Sequence, residues 1–155
     1  EHIHGYRFIG LDTSIEGQAN GYISKEQAEW LFHQLESPSE KGTVLLGHHP
    51  FKSEQAWFET RLPENFIENL QKTDVLAYLC GHVHFQEARN LGTFMQLTAE
   101  AFNYGVETRK QEVVYTETKG YSTCWLKDDG DVVCHMHVLT PYEPVFYRFA
   151  LNKTL

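Results

Sequence analysis

Residues 43–50 read TVLLGHHP and residues 75–84 read VLAYLCGHVH. In both segments a short apolar run ends in a glycine that is followed by histidine. Apolar runs of this length, bounded by glycine, are typical of buried strands in an α/β sheet. The carboxyl ends of parallel strands meet at one edge, where open α/β sheets bind their ligands. The two segments therefore predict strands that bring histidine side chains together at that edge.

We predict that three of these histidines, His48, His82 and His84, are metal ligands. Neutral imidazole is a common ligand of zinc, iron and manganese-type centres. On an extended backbone His82 and His84 would point to the same side, because side chains alternate along a strand. The glycine before each block would let the backbone turn sharply and come close to an ion.

His49 follows a predicted ligand, and we expect it to orient that ligand or to contact substrate. Either Gly-His segment alone could equally be a turn or a half-buried core feature. Two such segments at equivalent strand ends favour a metal site over that alternative.

The first half of the chain alternates predicted strands and helices, which is typical of α/β layering. A strand is predicted over residues 6–12. A helix follows Ser24, with Gln27 as its capping-box partner. Residues 51–62 lack a clean period and predict an irregular segment over the site, and Pro63 begins a second helix.

The second half of the chain has the pattern of a β-rich tail. Strands are predicted at residues 93–97, 120–126 and 132–139, the last two joined by an acidic turn, and residues 141–149 could add a short edge strand. Residues 98–119 have no assignable pattern.

The composition limits both the size of the fold and its partners. A chain of 155 residues with 41% apolar residues can form one domain with a real core. Its net charge of −8 argues against a nucleic-acid-binding surface or an anionic membrane as partner. A small anionic substrate remains compatible with this charge, because metal ions set the local field of their site. No run approaches the roughly 18 apolar residues of a membrane span.

Three cysteines, Cys80, Cys124 and Cys134, suit a reducing compartment better than a disulfide scaffold. We therefore predict a cytoplasmic protein. A three-residue turn at residues 128–130 would place Cys124 opposite Cys134, so a disulfide is open, but small buried thiols are the preferred interpretation.

The sequence from about Phe8 to Leu139 resembles that of the calcineurin-like metallophosphoesterases. The segment YLCGHVH at residues 78–84 looks like purple acid phosphatases. FIGLDT at residues 8–13 and GYISKEQ at residues 21–27 look like the bacterial cyclic nucleotide phosphodiesterases. That family carries its ligands on five blocks: Asp-x-His, Gly-Asp-x-x-Asp, Gly-Asn-His-Asp/Glu, a Gly-His or His-His-Pro block, and Gly-His-x-His. Only the last two occur in this sequence.

The resemblance implies a fold and a metal centre. The fold would be the C-terminal half of a four-layer α/β/β/α sandwich, with residues 1–155 as the C-terminal portion of a single domain. His48 and His82 would share one of two divalent or trivalent ions (Mn, Fe or Zn), and His84 would bind the other. A hydroxide would bridge the two ions. The remaining ligands would come from an N-terminal remainder of the domain or, less simply, from a partner chain.

The function implied by the resemblance is metal-dependent hydrolysis of small phosphoesters, with phosphodiesters such as cyclic nucleotides favoured. The isolated chain would be nearly inactive. The alternative is a noncatalytic scaffold or metal-binding interaction module. Retention of three histidines argues against a scaffold, because unused polar ligands in a buried cluster carry a desolvation cost.

Several other side chains are weaker candidates. Lys52 and Arg89 could meet a phosphate, although surface cations are usually only solvated. Asn103 and Tyr104 could contact substrate. His135 and His137 are expected to form a solvated or packed pair rather than a metal site.

Overall fold

The computed structural model describes residues 1–109, 112–140 and 145–150 of the chain. Within these ranges it contains two helices, α1 (Lys25–Gln34) and α2 (Phe66–Leu70), and a 3-10 turn at Ala56–Phe58. The strands there are β1 (His2–Ile3), β2 (Tyr6–Gly10), β3 (Thr43–Leu46), β4 (Val75–Cys80), β5 (Glu87–Asn90), β6 (Met95–Thr98), β7 (Gly105–Arg109), β8 (Glu112–Thr116), β9 (Gly120–Leu126), β10 (Val132–Val138) and β11 (Val145–Ala150).

A six-stranded mixed sheet forms the centre of the molecule, with the strand order β1-β2-β3-β4-β6-β5. Strands β2, β3, β4 and β6 run parallel, and the short β1 and β5 pair antiparallel at the two edges. Because β3 and β4 are neighbours, with Leu46 beside Leu79, both histidine blocks leave the sheet at the same edge. The predicted α/β class, with a mixed sheet, covering helices and a β-rich tail, is confirmed.

The hydrophobic core lies between this sheet and the two helices. Leu31 of α1 and Phe66 and Leu70 of α2 are almost completely buried against it. Tyr78 of β4 is also fully buried, and its ring stacks on that of Phe51 with centroids 3.8 Å apart. The core therefore reaches from the helices to the segment that follows the first histidine block.

Helix α1 begins as predicted at Ser24, whose hydroxyl accepts a hydrogen bond from the backbone N–H of Gln27 at 3.1 Å. The predicted reciprocal bond from the Gln27 side chain is absent. That amide instead pairs with the backbone of Asp12, accepting from its N–H at 2.9 Å and donating to its carbonyl at 2.7 Å. Gln27 thus ties the helix to the loop that follows β2 rather than to its own cap.

The β-rich tail consists of the β9–β10 hairpin and a three-stranded sheet, β11-β8-β7. The previously unassigned residues 98–119 supply β7 and β8, and β5 is an additional strand that the sequence pattern did not indicate. Both β5 and β7 carry charged side chains, so they lack the apolar alternation of a half-buried strand. Of the edge predicted at residues 141–149, the first four residues lie outside the described residues, and β11 begins at Val145.

The hairpin turn has the predicted register, with the Lys127 N–H donating to the Asp131 carbonyl at 2.9 Å. Cys124 lies opposite Cys134, and the two form a disulfide, so the preference for buried free thiols is wrong for this pair. Cys80 is a buried free thiol. The prediction of a cytoplasmic protein rested on free cysteines. Because Cys124 and Cys134 are paired, it loses their support and stays a prediction. None of the helices in the described part of the chain is long and apolar enough to cross a membrane.

A buried ion pair stabilises the edge of the sheet at which the parallel strands β2, β3 and β4 begin. The guanidinium of Arg7 on β2 bonds both carboxylate oxygens of Asp74, at 2.9 and 3.1 Å. It also donates to the carbonyls of Gln34 and Ser37 at the end of α1. Asp74 accepts further bonds from the hydroxyl of Thr43 and from a loop N–H. One ion pair therefore connects β2, β3, α1 and the start of β4.

The substitution Asp74→Ala should lower the free energy of unfolding by about 3–5 kcal/mol, because it leaves the buried Arg7 charge without its partner. Urea denaturation followed by circular dichroism measures this loss. Lys25→Ala is the matched control, since Lys25 forms an exposed pair with Glu29 and should change stability little. Equal effects of the two substitutions would contradict the role given to Asp74.

Candidate metal centre

The two histidine blocks lie side by side because the β3–β4 pairing continues beyond both strands. The N–H of Gly47 donates to the carbonyl of Leu79 at 3.1 Å, and the N–H of Gly81 donates to the carbonyl of His48 at 3.0 Å. These backbone bonds hold the first residues of each block against the other. The predicted meeting of the blocks at one sheet edge is confirmed.

Three imidazoles converge at this edge. Nδ1 of His82 lies 3.1 Å from Nε2 of His48, and the rings of His49 and His82 have centroids 4.3 Å apart. One ring nitrogen from each of His48, His49 and His82 lies within 4.8 Å of the other two. Three nitrogen donors at such spacing could hold one metal ion.

His49, which we expected to orient a ligand or contact substrate, is the most firmly held of the three. Its side chain is buried, and its Nδ1 lies 2.8 Å from the hydroxyl of Thr13. Its carbonyl accepts from the phenol of Tyr78 at 2.6 Å and from the hydroxyl of Thr60 at 3.2 Å. Sequence reasoning missed Thr13, although its place after β2 at the same sheet edge was a signal that could have found it.

His84 stands apart from this group. Its Nδ1 lies 3.1 Å from the carbonyl of Tyr104, and its ring packs against the ring of Tyr104 with centroids 4.6 Å apart. A carbonyl can only accept, so Nδ1 carries the proton and Nε2 keeps its lone pair. A backbone carbonyl that fixes the tautomer in this way is typical of metal-binding histidines.

The backbone of the second block is not extended. His82 and His84 have φ values of +70° and +57°, in the left-handed region that non-glycine residues rarely adopt. Val83 between them is 2% exposed, and its N–H donates to the carbonyl of Gly81 at 2.8 Å. The expectation that both histidines point to one side of an extended strand is therefore wrong. Burial of Val83 instead anchors a turn that sends the two rings to different partners, in a strained conformation that is frequent at functional sites.

Burial favours the neutral form of three imidazoles, because it lowers the pKa values of His49, His82 and His84. The pKa of His82 is lowered to about 4, first because burial desolvates the charged form and then because His49 and His48 lie beside it. Burial is also the main cause of the lowered pKa values of His49 and His84. Nε2 of His82 is buried and has no hydrogen-bond partner among the described residues. A buried imidazole nitrogen of this kind fits a metal ligand, because metals bind the neutral form of histidine.

The weaker candidates have other partners. Lys52 pairs with Glu59 at 2.9 Å, and Arg89 pairs with Glu87, so each cation already lies on a carboxylate. His137 stacks on Tyr121 and lies 3.0 Å from the hydroxyl of Thr123, as expected for a packed histidine.

The side-chain oxygen of Asn103 accepts a hydrogen bond from the backbone N–H of the next residue, Tyr104, at 2.9 Å. Tyr104 itself lines the cavity beside the second block.

Gly47 and Gly81, the glycines that precede the two histidine blocks, do not have the expected role of allowing a sharp turn. Neither Gly47 nor Gly81 has a positive φ, so neither is needed for a sharp turn. A Cβ on Gly47 would lie 2.2 Å from the phenol oxygen of Tyr78, whereas a Cβ on Gly81 would meet open space. Gly47 is therefore required so that Tyr78 can reach the carbonyl of His49.

The substitution Gly47→Ala should lower the free energy of unfolding by about 1–3 kcal/mol, because the fully buried Tyr78 has no room to move away. Gly81→Ala is the matched control and should leave stability nearly unchanged. Denaturant midpoints of the two variants, measured beside the wild type, test the difference. Equal losses would refute the packing role of Gly47.

Acid should destabilise the metal-free protein through His82. Its folded pKa of about 4 lies below the ordinary histidine value of 6.5, so the unfolded chain binds the proton more readily between these values. Stability is then full above about pH 6.5 and falls as the pH drops toward 4. His82→Asn, which tolerates a left-handed backbone, should flatten this profile. Denaturation in chelator between pH 7 and pH 4 measures it, and an unchanged slope would rule out His82 as the titrating group.

The sequence is similar to several curated phosphodiesterases. It is 38% identical over 87 residues to a cAMP/cGMP dual specificity phosphodiesterase of Mycobacterium tuberculosis, which covers 54% of this chain and 27% of that protein. It is 31% identical to a probable glycerophosphodiester phosphodiesterase of Arcobacter nitrofigilis, over 80% of this chain and 50% of the relative. It is 28% identical to the 3′,5′-cyclic adenosine monophosphate phosphodiesterase of Escherichia coli K12, over 90% of this chain and 54% of the relative.

The chain thus spans from about a quarter to about half of the length of the relatives it matches. No protein-family model matches the sequence. Among solved structures, Vps29 from Entamoeba histolytica has 12% identity over 87% of this chain and 99% of its own, with a TM-score of 0.22, a likeness too small to carry an argument. On the sequence relatives and the two histidine blocks, the chain belongs to the calcineurin-like metallophosphoesterase family, alongside the cyclic nucleotide and glycerophosphodiester phosphodiesterases.

Proposed function

We propose that this chain supplies part of a dinuclear metal centre that hydrolyses small phosphodiesters. The observation that carries the proposal is the convergence of His48, His49 and His82, with the buried Nε2 of His82 left without a partner among the described residues. A buried imidazole nitrogen without a hydrogen-bond partner is costly, because unpaired buried polar atoms are destabilising.

In this proposal His48 and His82 bind one ion and His84 binds the other. The contact of 3.1 Å between Nδ1 of His82 and Nε2 of His48 brings the two rings close enough to serve one centre, while the orientation of His84 by the Tyr104 carbonyl suits a separate one. The chemistry that such a pair of ions supplies is polarisation of the phosphoryl oxygens and activation of water. The remaining ligands would come from other residues of the same protein or from a partner chain.

His49 is a positioning residue in this arrangement. The Thr13 hydroxyl and the Tyr78 phenol fix its ring and its backbone, and its ring packs against that of His82. A rigid neighbour of this kind restricts the rotation of the His82 ring and so keeps Nε2 directed at the ion. Its membership of the three-histidine group makes direct ligation by His49 the competing assignment.

The names of the relatives support this substrate class. The names of those in Mycobacterium tuberculosis and Escherichia coli specify cyclic nucleotides, and that of the one in Arcobacter nitrofigilis specifies glycerophosphodiesters. A small phosphodiester is common to all three. The net charge of −8 does not oppose such a substrate, since bound cations would dominate the field at the site.

The test uses the full-length protein that contains this chain, loaded in turn with Mn²⁺, Fe²⁺ and Zn²⁺. The substrates are bis(p-nitrophenyl) phosphate and cyclic AMP. His82→Asn should lower kcat/KM by at least about 100-fold and should remove bound metal, because it removes a ligand rather than a supporting group. Atomic absorption measures the metal content. His33→Asn is the control, since His33 is exposed on α1 and should alter neither quantity.

Two results would contradict the proposal. One is the absence of phosphoester hydrolysis with every metal tested, and the other is unchanged activity in His82→Asn. Metal binding without hydrolysis would favour the alternative of a metal-binding interaction module.

A further inference from the structure

The hydroxyl of Thr13 contacts His49 at two points. It accepts a hydrogen bond from the backbone N–H of His49 at 3.2 Å, and it lies 2.8 Å from Nδ1 of the imidazole ring. Thr13 is 2% exposed and His49 is 6% exposed, so both contacts are shielded from solvent. The direction of the hydrogen bond between the hydroxyl and the ring decides which ring nitrogen carries the proton.

The hydroxyl of Thr13 has one proton to donate. Its oxygen already accepts from the backbone N–H of His49, which can only donate. In the described part of the chain, Nδ1 of His49 is the only other atom that pairs with this hydroxyl. If Nδ1 donated, the hydroxyl would accept twice and its buried proton would have no acceptor, which is costly. The hydroxyl therefore donates to Nδ1.

This bond fixes the tautomer of His49. A neutral imidazole has one N–H, so a hydrogen bond accepted by Nδ1 places the proton on Nε2. Neither nitrogen is then free to bind a metal ion, because Nδ1 is occupied by the hydroxyl and Nε2 has no free lone pair. His84 has the opposite arrangement: the carbonyl of Tyr104 accepts from its Nδ1, and Nε2 keeps its lone pair. The two histidines are thus held in opposite tautomers.

We propose that Thr13 is a positioning residue that keeps His49 out of the ligand set of the metal centre. Its hydroxyl holds the proton of His49 on Nε2, so the three clustered imidazoles supply two ligands, His48 and His82, and one N–H donor. This inference rests on the proposed function and deepens it, because it decides between the two roles left open for His49. Two imidazoles leave more positions for oxygen ligands, which suit Mn²⁺ better than a third imidazole would.

The tautomer of His49 is measured directly by long-range ¹H–¹⁵N correlation NMR. The sample is the metal-free full-length protein that contains this chain, with ¹⁵N-labelled histidine, at about pH 8, where histidine is neutral. Signals that vanish in His49→Asn identify the residue. We expect the proton of His49 on Nε2. We also expect it to remain there when Zn²⁺ binds, while the signals of His48 and His82 shift.

Two substitutions of Thr13 test whether its hydroxyl sets this tautomer. Thr13→Ser keeps the hydroxyl and should keep the proton on Nε2. Thr13→Asp supplies a carboxylate, which can only accept, and should move the proton to Nδ1. Nε2 of His49 is then free to bind, so the affinity for Zn²⁺ should rise at least about tenfold relative to that for Mn²⁺. The added charge acts on both ions, and the ratio of the two affinities removes its effect.

Thr118→Val is the matched control for the loss of a buried hydroxyl. The hydroxyl of Thr118 is also buried, but it pairs with that of Thr116 in the β-rich tail. The signals of His49 should therefore stay unchanged in this variant. A change of the His49 tautomer in Thr118→Val would contradict the specific role given to Thr13.

Three further results would overturn the inference: a wild-type His49 protonated on Nδ1, loss of its Nε2 proton when Zn²⁺ binds, or an unchanged tautomer in Thr13→Asp. If Thr13→Asp does not fold, the wild-type spectra still decide the question. The spectra do not depend on hydrolysis. Phosphodiester hydrolysis by a protein with His49 protonated on Nδ1 would refute the role of Thr13 and leave the proposed function standing. An Nε2 proton in a protein that hydrolyses no phosphoester would do the reverse.

Discussion

The parallel pairing of β3 with β4 is the constraint on which the site depends. It places Leu46 beside Leu79, and the backbone bonds of Gly47 and Gly81 extend the pairing past the ends of both strands. The first residues of the two blocks therefore have little freedom relative to one another. Imidazoles on such a frame need little reorganisation to meet a common ligand, which is the main advantage of placing a site on strands rather than on free loops.

Tyr78 connects this frame to the core. Its ring stacks on Phe51 inside the core, while its phenol passes over Gly47 to the carbonyl of His49. Burial raises the pKa of this phenol above its ordinary value, so it stays a neutral donor. The packing of the core thus holds His49 in place. Because the phenol passes over Gly47, no side chain fits at position 47.

The same region contains two of the five buried side-chain atoms that have no hydrogen-bond partner among the described residues. Nε2 of His82 and Oε1 of Gln55 are both buried without partners among the described residues, and His82 and His84 adopt left-handed backbone conformations. By contrast, the Arg7–Asp74 pair at the opposite end of the sheet is densely hydrogen-bonded. The two unpaired atoms lie beside the histidine blocks, where a ligand could satisfy them, and the fully bonded network stabilises the sheet that carries these blocks.

The sequence by itself determined the strands before the two blocks, the Ser24 cap, the hairpin register and the meeting of the two histidine blocks at one sheet edge, because these depend on local apolar runs and on turn residues. It did not determine the disulfide of Cys124 with Cys134, the tie between Gln27 and Asp12, or the places of Thr13 and Gln55. The sequence also did not predict the left-handed backbone at His82 and His84, since neither position is a glycine. Each of these features depends on a partner distant in sequence or on how tightly Val83 and Tyr78 pack, and only the tertiary structure decides which distant groups come within hydrogen-bonding distance.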